Sequence, residues 1–351
     1  MRWFAIILLL IGLGFAAFTW TKNSSNASLS KNMSPVWGVL VRPFALDVVG
    51  KPTTWEVGIP AQLNYTQELG AKLIRANIES NDPAMELMIN GARSRDLDVL
   101  LVLEVDGKNP VLDASIPTAA LYDQGYAFAT QYASKYAGRV QYYQLANEVS
   151  GTAAHQASDT GPTLKNSYDL TYDKNRYERV REYTRGLADG VKAADPGAKR
   201  MVTGHWVLVD IMKYLIDDKV DFEIIGWDWY SDMGIDPAKK LIDNFPALDL
   251  PGLANKWGKE FWLAEVNRES GSFDNQDQAQ ASYLAAVAKV VQADKRIKGM
   301  TIHMLPDMAA EQSKTTGALG LVTVKENSDG TWKFDERKPA FATLRSIFLR
   351  Q

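Results

Sequence analysis

Two glutamates stand where short apolar runs give out. Tyr142-Tyr143-Gln144-Leu145-Ala146 leads into Asn147-Glu148, and Glu260-Phe261-Trp262-Leu263-Ala264 leads into Glu265. Each run has the composition of a strand buried on both faces, and each delivers a carboxyl where strand meets loop. Two such carboxyls suit paired acid chemistry, in which one stays protonated to serve a leaving group while the other is ionised. The three histidines, His155, His205 and His303, are a second set of chemistry-bearing residues. They fall on, or in the loops after, the fourth, fifth and eighth strands set out below, and a zinc hydrolase would need three such ligands plus a water. No His-x-His pair follows the first strand, so the expectation is no metal and no other cofactor. His205 is then expected to bond a substrate hydroxyl and His155 to sit on a polar rim.

Stepping outward from the glutamates, the chain alternates apolar runs with helical patterns. Strands are expected over 37–42, 72–78, 98–104, 140–148, 200–204, 221–226, around Glu265, and over 299–304. Between them, Asp82-Pro83 reads as a helix start, and Tyr177, Val180, Thr184, Leu187 and Val191 recur at helical spacing before Asp195-Pro196-Gly197 ends the pattern. Leu284, Val287, Ala288 and Val291 give the stripe of another helix. Eight strands alternating with helices predict an α/β fold, a (β/α)8 TIM barrel, whose chemistry gathers at the C-terminal ends of the strands. The long polar stretch from Ser150 to about Lys174 is expected to be a lid, since loops of more than about 15 residues in compact domains are usually functional or disordered.

Asn147-Glu148 after a fourth strand and Glu265 after a seventh resemble the pattern of the clan A glycoside hydrolases, retaining (β/α)8-barrel glycosidases, with families 5 and 39 the most similar. The tail extends the resemblance through Gly317–Val322, the turn at Ser328-Asp329-Gly330 and Lys338-Pro339-Ala340-Phe341 before a last helix. The resemblance implies Glu148 as acid/base and Glu265 as nucleophile, with the carboxyls about 5 Å apart as retaining chemistry requires. It also implies that Arg75 lies near Glu265 and favours its ionised form, that Asn147 binds the sugar 2-hydroxyl, and that Tyr230 hydrogen-bonds the nucleophile. One departure stands out. Many clan members end strand eight in a tryptophan beneath the reacting sugar, and this chain reads His303-Met304-Leu305-Pro306-Asp307.

Sugars present C–H faces that stack on rings, so Trp206, Trp227 and Trp229, which all follow expected strands, are candidate platforms. Glu104, Asp106 and Asp228 are candidate hydroxyl partners, or else solvated surface groups. The expected activity is an exported O-glycosyl hydrolase acting on a β-linked polysaccharide or oligosaccharide. A transglycosylase or a non-catalytic carbohydrate-binding barrel is the alternative, and a metal-dependent hydrolase the more remote one.

Composition bounds these readings. The 351 residues suit one barrel, and a hydrophobic fraction of 46% with 23% charged residues excludes disorder for most of the chain. A net charge of −3 supplies no field for nucleic acid, so a neutral glycan is the expected partner. Arg2 followed by an apolar run from Trp3 to Trp20 reads as an export signal or uncleaved anchor, which puts the barrel in the periplasm, at the cell surface or in the medium. Residues 1–30 are therefore assigned to the signal or anchor with its linker, and 31–351 to the barrel. Membrane contact is expected only through that first segment. There are no cysteines, so no disulfide supports the fold.

Overall fold

The inner face of the sheet explains the whole arrangement, because the two-residue period of each strand stacks an apolar layer beneath a polar one. A computed structural model describes residues 34–42, 58–79, 82–105, 109–156, 158–166, 170–239, 248–308, 314–330 and 332–350. The amino-terminal segment and Asp106 lie outside them. Eight parallel strands close a barrel: β1 (Val36–Leu40), β2 (Leu73–Ile78), β3 (Asp98–Val105), β4 (Tyr142–Gln144), β5 (Lys199–His205), β6 (Ile224–Tyr230), β7 (Glu260–Asn267) and β8 (Ile297–Ile302). Each pairs with its sequence neighbours, and β1 pairs with β8 at Val36↔Gly299 through Val39↔Ile302 to shut the ring.

Leu73, Leu100, Met201, Ile224, Trp262 and Ala264 pack together as the plug of the barrel interior. The Trp262 ring fills so much of it that a Cβ on Gly299 would come within 2.2 Å of the indole, so β8 must carry glycine there. Further along four of the strands the inner face turns polar: Arg75 on β2, Gln144 on β4 and Thr203 on β5 stand two residues beyond Leu73, Tyr142 and Met201, and Asp228 on β6 stands two such steps beyond Ile224. Glu265 joins them through an irregularity. On β7 the register runs Trp227↔Leu263 and then Asp228↔Glu265, so a bulge at Ala264 gives β7 one extra residue. Bulges re-aim side chains, and this one turns Glu265 to the inner face opposite Asp228.

The helices cover the outside of the sheet, with α1 at Gly58–Leu69, α2 at Asp82–Arg93, α3 at Thr118–Tyr136, α4 at Val149–Ala153 and α5 at Lys174–Ala194. They continue as α6 (Asp210–Asp217), α7 (Leu250–Lys256), α8 (Asp277–Ala293) and α9 (Pro339–Phe348). After β8 an antiparallel ribbon, Val322–Glu326 against Trp332–Arg337, leads into α9, whose first residue is Pro339. Among the described residues no helix is long and apolar enough to cross a membrane.

The structure moves three expected features. Strand six begins at Ile224 and runs through Tyr230, because Asp228 is buried within the sheet although its charge reads as the end of a strand. Strand four is only Tyr142–Gln144, and Glu148 stands immediately before α4 as its N-cap. In the stretch expected as a lid, α4 is followed by two paired strands, Thr163–Lys165 antiparallel to Thr171–Asp173. That pair is tied to the barrel by buried Tyr172, whose hydroxyl accepts from Ile211 N at 3.1 Å and donates to Asn166 Oδ1 at 3.2 Å.

Candidate active site

Arg75 is the hub of the polar layer. Its guanidinium is only 2% exposed, and all three nitrogens are engaged: Nη1 lies 2.6 Å from Glu265 Oε1, Nε donates to Gln144 Oε1 at 2.9 Å, and Nη2 donates to Asn147 Oδ1 at 3.1 Å. Gln144 Nε2 donates to the same Asn147 oxygen at 2.8 Å. With its oxygen fixed by two donors, Asn147 presents its amide nitrogen as the group left to give hydrogen bonds.

The other oxygen of Glu265, Oε2, accepts from Tyr230 Oη at 2.9 Å and lies 3.1 Å from His303 Nδ1. Burial by itself pushes the Glu265 carboxyl up. The charges of His303 and Arg75, with the hydrogen bonds from His303 and Tyr230, outweigh burial and hold it well below the usual carboxylate range. These surroundings thus favour the Glu265 anion. Burial, with the Glu265 charge, drives the Tyr230 phenol far above its ordinary value, so it remains a donor.

Glu148 is set differently. Its backbone is left-handed, with φ 45°, at the turn into α4. A non-glycine residue there costs about 1–2 kcal/mol, and such conformations concentrate at functional sites. Thr203 holds the turn, its hydroxyl accepting from Glu148 N at 3.0 Å and donating to Ala146 O at 3.2 Å. The Glu148 side chain remains 41% exposed, and its Oε1 lies 3.9 Å from His205 Nδ1. Ser150 Oγ accepts from His205 N at 3.0 Å, and Gly151 leaves room for the imidazole, which a Cβ there would meet at 2.3 Å.

A cavity of about 390 Å³ opens above this layer, lined by Glu148, His205, Trp206, Asp228, Tyr230 and His303 among others. It is of the size that small ligands occupy. Trp206 enters it from a backbone with φ 56°, again left-handed. Trp227 and Trp229 do not. They are 1% and 0% exposed, because the two-residue period that turns Asp228 and Tyr230 inward sends both tryptophans outward. Trp227 packs near Gly204 and Met212, and Trp229 donates to Gly234 O at 3.0 Å, so the expectation that these two stack on sugar is corrected.

The structure therefore brings together Glu148, Glu265, Asn147, Arg75, Tyr230, His205 and Trp206 from the sequence. It adds His303, Gln144 and Thr203 to the site. It also buries Asp228, which the sequence offered as a hydroxyl partner or solvated surface group. The inward alternation from Leu73 to Arg75 and from Tyr142 to Gln144 was the available signal for the second layer. Glu104, on β3, has its carboxyl raised by burial, opposed by Arg75 and reinforced by Glu148 and Glu265. Of the histidines, His155 stands apart in the stretch after α4, its Nδ1 3.8 Å from Asp159 Oδ2. Among the described residues the group with ligand-like spacing is His155, Asp159 and Asp173, not the three histidines. Its acids are already engaged by Arg176, through a 2.7 Å pair with Asp159 and an N-cap bond from Arg176 N to Asp173 at 2.8 Å.

The closed eight-stranded barrel is the one found in the glycoside hydrolases of clan A. A family 39 glycoside hydrolase from Bacteroides cellulosilyticus superimposes with a TM-score of 0.59 at 15% identity, over 90% of this chain and 64% of that one. Xylanase 10B of Thermotoga petrophila, solved with xylobiose, gives 0.57 at 13%, over 90% and 94%. A family 1 β-glucosidase of Thermotoga maritima gives 0.60 at 11%, over 89% and 97%. The chain thus spans less than two thirds of the family 39 enzyme. No protein-family model and no curated protein sequence matches the chain.

Proposed function

We propose that the chain is an exported retaining glycoside hydrolase that cleaves β-linked glycans by double displacement. One observation carries this: two carboxyls with opposite surroundings meet at one cavity, Glu148 open to solvent in its wall and Glu265 enclosed behind Tyr230 and His303, which line that cavity and, with Arg75, favour the Glu265 anion. Glu265 attacks the anomeric carbon as Glu148 gives its proton to the glycosidic oxygen, and the C–O pair leaves with that oxygen. Glu148, now a carboxylate, takes a proton from water, which attacks the same carbon and frees Glu265. The Asn147 amide nitrogen donates to the sugar 2-hydroxyl, and Trp206 and His205 form the wall that receives the ring and its hydroxyls. The β-linked reading draws support from the β-glucosidase and xylanase that share this barrel.

Screening aryl glycosides and bacterial and plant glycans tests the reading. Cleavage that is lost in Glu265→Gln, with the fold intact, supports it, whereas glycan binding without cleavage by the wild type leaves a carbohydrate-binding barrel. Export rests on Arg2 and the apolar run after it. Alkaline phosphatase fused after residue 36 should be active, and an inactive phosphatase beside an active cytoplasmic reporter contradicts export.

A further inference from the structure

A third carboxyl stands between the two that the proposed chemistry uses. Asp228 is fully buried on the inner face of β6, in register with His205 of β5 on one side and Glu265 of β7 on the other. Both its oxygens are enclosed, and among the described residues no donor reaches either. The nearby cation is spent, since each Arg75 nitrogen already has its acceptor in Glu265, Gln144 or Asn147. An ionised Asp228 would therefore be a buried anion without a partner, facing the anion of Glu265 and the carboxyl of Glu148. Such a group keeps its proton rather than bear that cost.

We propose that Asp228 is the positioning residue of Glu148, a carboxylic acid that keeps its proton and donates it in a hydrogen bond to the Glu148 carboxyl. The proposal rests on Glu148 being the acid/base. Asp228 and Glu148 line the same cavity, and Glu148 Oε1 lies 3.9 Å from Nδ1 of His205, the residue paired with Asp228 across β5 and β6. Burial first, then the charges of Glu265 and Glu148, carry the Asp228 carboxyl well above the ordinary range against the pull of Arg75. The groups facing it are His205 from β5, Glu148 from the turn after β4, Glu265 from β7, Arg75 from β2 and, on its own strand, Tyr230. In the first step the Glu148 O–H bond breaks and an O–H bond forms on the leaving oxygen, while the Asp228 O–H stays intact and strengthens its bond to the new carboxylate. Asp228 thereby stabilises the carboxylate that Glu148 becomes as Glu265 gives up its charge to the new C–O bond, and fixes which Glu148 oxygen faces the substrate.

Two variants separate this from a structural role. Asp228→Asn keeps a neutral donor, so the alkaline limb of kcat/KM should stay within a few tenths of a pH unit of wild type. Asp228→Leu removes the donor, so that limb should rise by about one unit. Its rate should fall about tenfold with poor leaving groups, and much less with activated aryl glycosides. An alkaline limb lowered by a unit or more in Asp228→Asn overturns the proposal, because it means that a charged Asp228 was raising Glu148. An unmoved limb in Asp228→Leu overturns it as well. Difference infrared spectra at pH 7 need neither catalysis nor the leucine variant: wild type should show a protonated-carboxyl C=O band that Asp228→Asn lacks. A wild-type-minus-Asp228→Asn difference spectrum without that band contradicts the proposal even if no glycoside is ever cleaved.

Discussion

Removing the Arg75 charge while keeping its bulk tests the polar layer directly, and Arg75→Met does this. In the structure one buried guanidinium serves three acceptors, at 2.6 Å to Glu265, 2.9 Å to Gln144 and 3.1 Å to Asn147. Breaking a buried ion pair from one side costs about 3–5 kcal/mol, because the remaining charge is left in place. That is a large part of the stability of an ordinary domain. In a Glu265→Gln background the guanidinium is itself the uncompensated charge, so Arg75→Met should there cost far less, and the two changes should couple by about 2 kcal/mol or more. Urea denaturation of the four proteins at pH 7, followed by tryptophan fluorescence, measures the cycle. The sign with pH is fixed as well. Glu265 has a depressed folded-state pKa, so its contribution is present above the unfolded carboxylate value and is lost as pH falls through the folded one. Arg75→Met shrinks that contribution, and its cost should be greatest near neutrality and decline in acid. Costs that add within about 0.5 kcal/mol, or a cost that grows in acid, refute the reasoning.

Tyr230→Phe removes the 2.9 Å hydrogen bond to Glu265 Oε2. A bond to a charged group is worth about 1.5–3 kcal/mol, so the acid limb of kcat/KM should rise by about one to two units, checked by a pH–rate series on any cleaved substrate. Glu148→Gly should be more stable than Glu148→Ala by about 1 kcal/mol in thermal or urea melts, because glycine accepts the left-handed backbone that alanine does not.

Much of the barrel could be read from the chain, because strands covered on both faces leave short apolar runs that stand out between helical patterns. Glu148 and Glu265 were visible for the same reason, as carboxyls at the ends of such runs. What the sequence hid depends on pairing between strands far apart in the chain. The bulge at Ala264 exists only in the register of β7 against β6, and it is what turns Glu265 inward. Asp228 read as a loop residue, since a charge inside a sheet is rare, and misplacing it shifted strand six and left Trp227 and Trp229 in an expected binding loop. His303 read as one of three strand-end histidines weighed as metal ligands, and its place beside Glu265 follows from the neighbouring positions of β7 and β8. The stretch from Ser150 to about Lys174 was expected as a lid, and its polar composition gave no sign of the strand pair that buried Tyr172 anchors.

The account's central claim is that Glu265 attacks the anomeric carbon while Glu148 supplies and then removes the proton. Proton NMR of the first sugar released by wild type from a cleaved β-glycoside, recorded before mutarotation, tests it most directly. The account predicts that the β-anomer appears first, because two displacements at one carbon restore its configuration. An α-anomer as the first product contradicts it, since a single displacement by water leaves no place for a bond to Glu265.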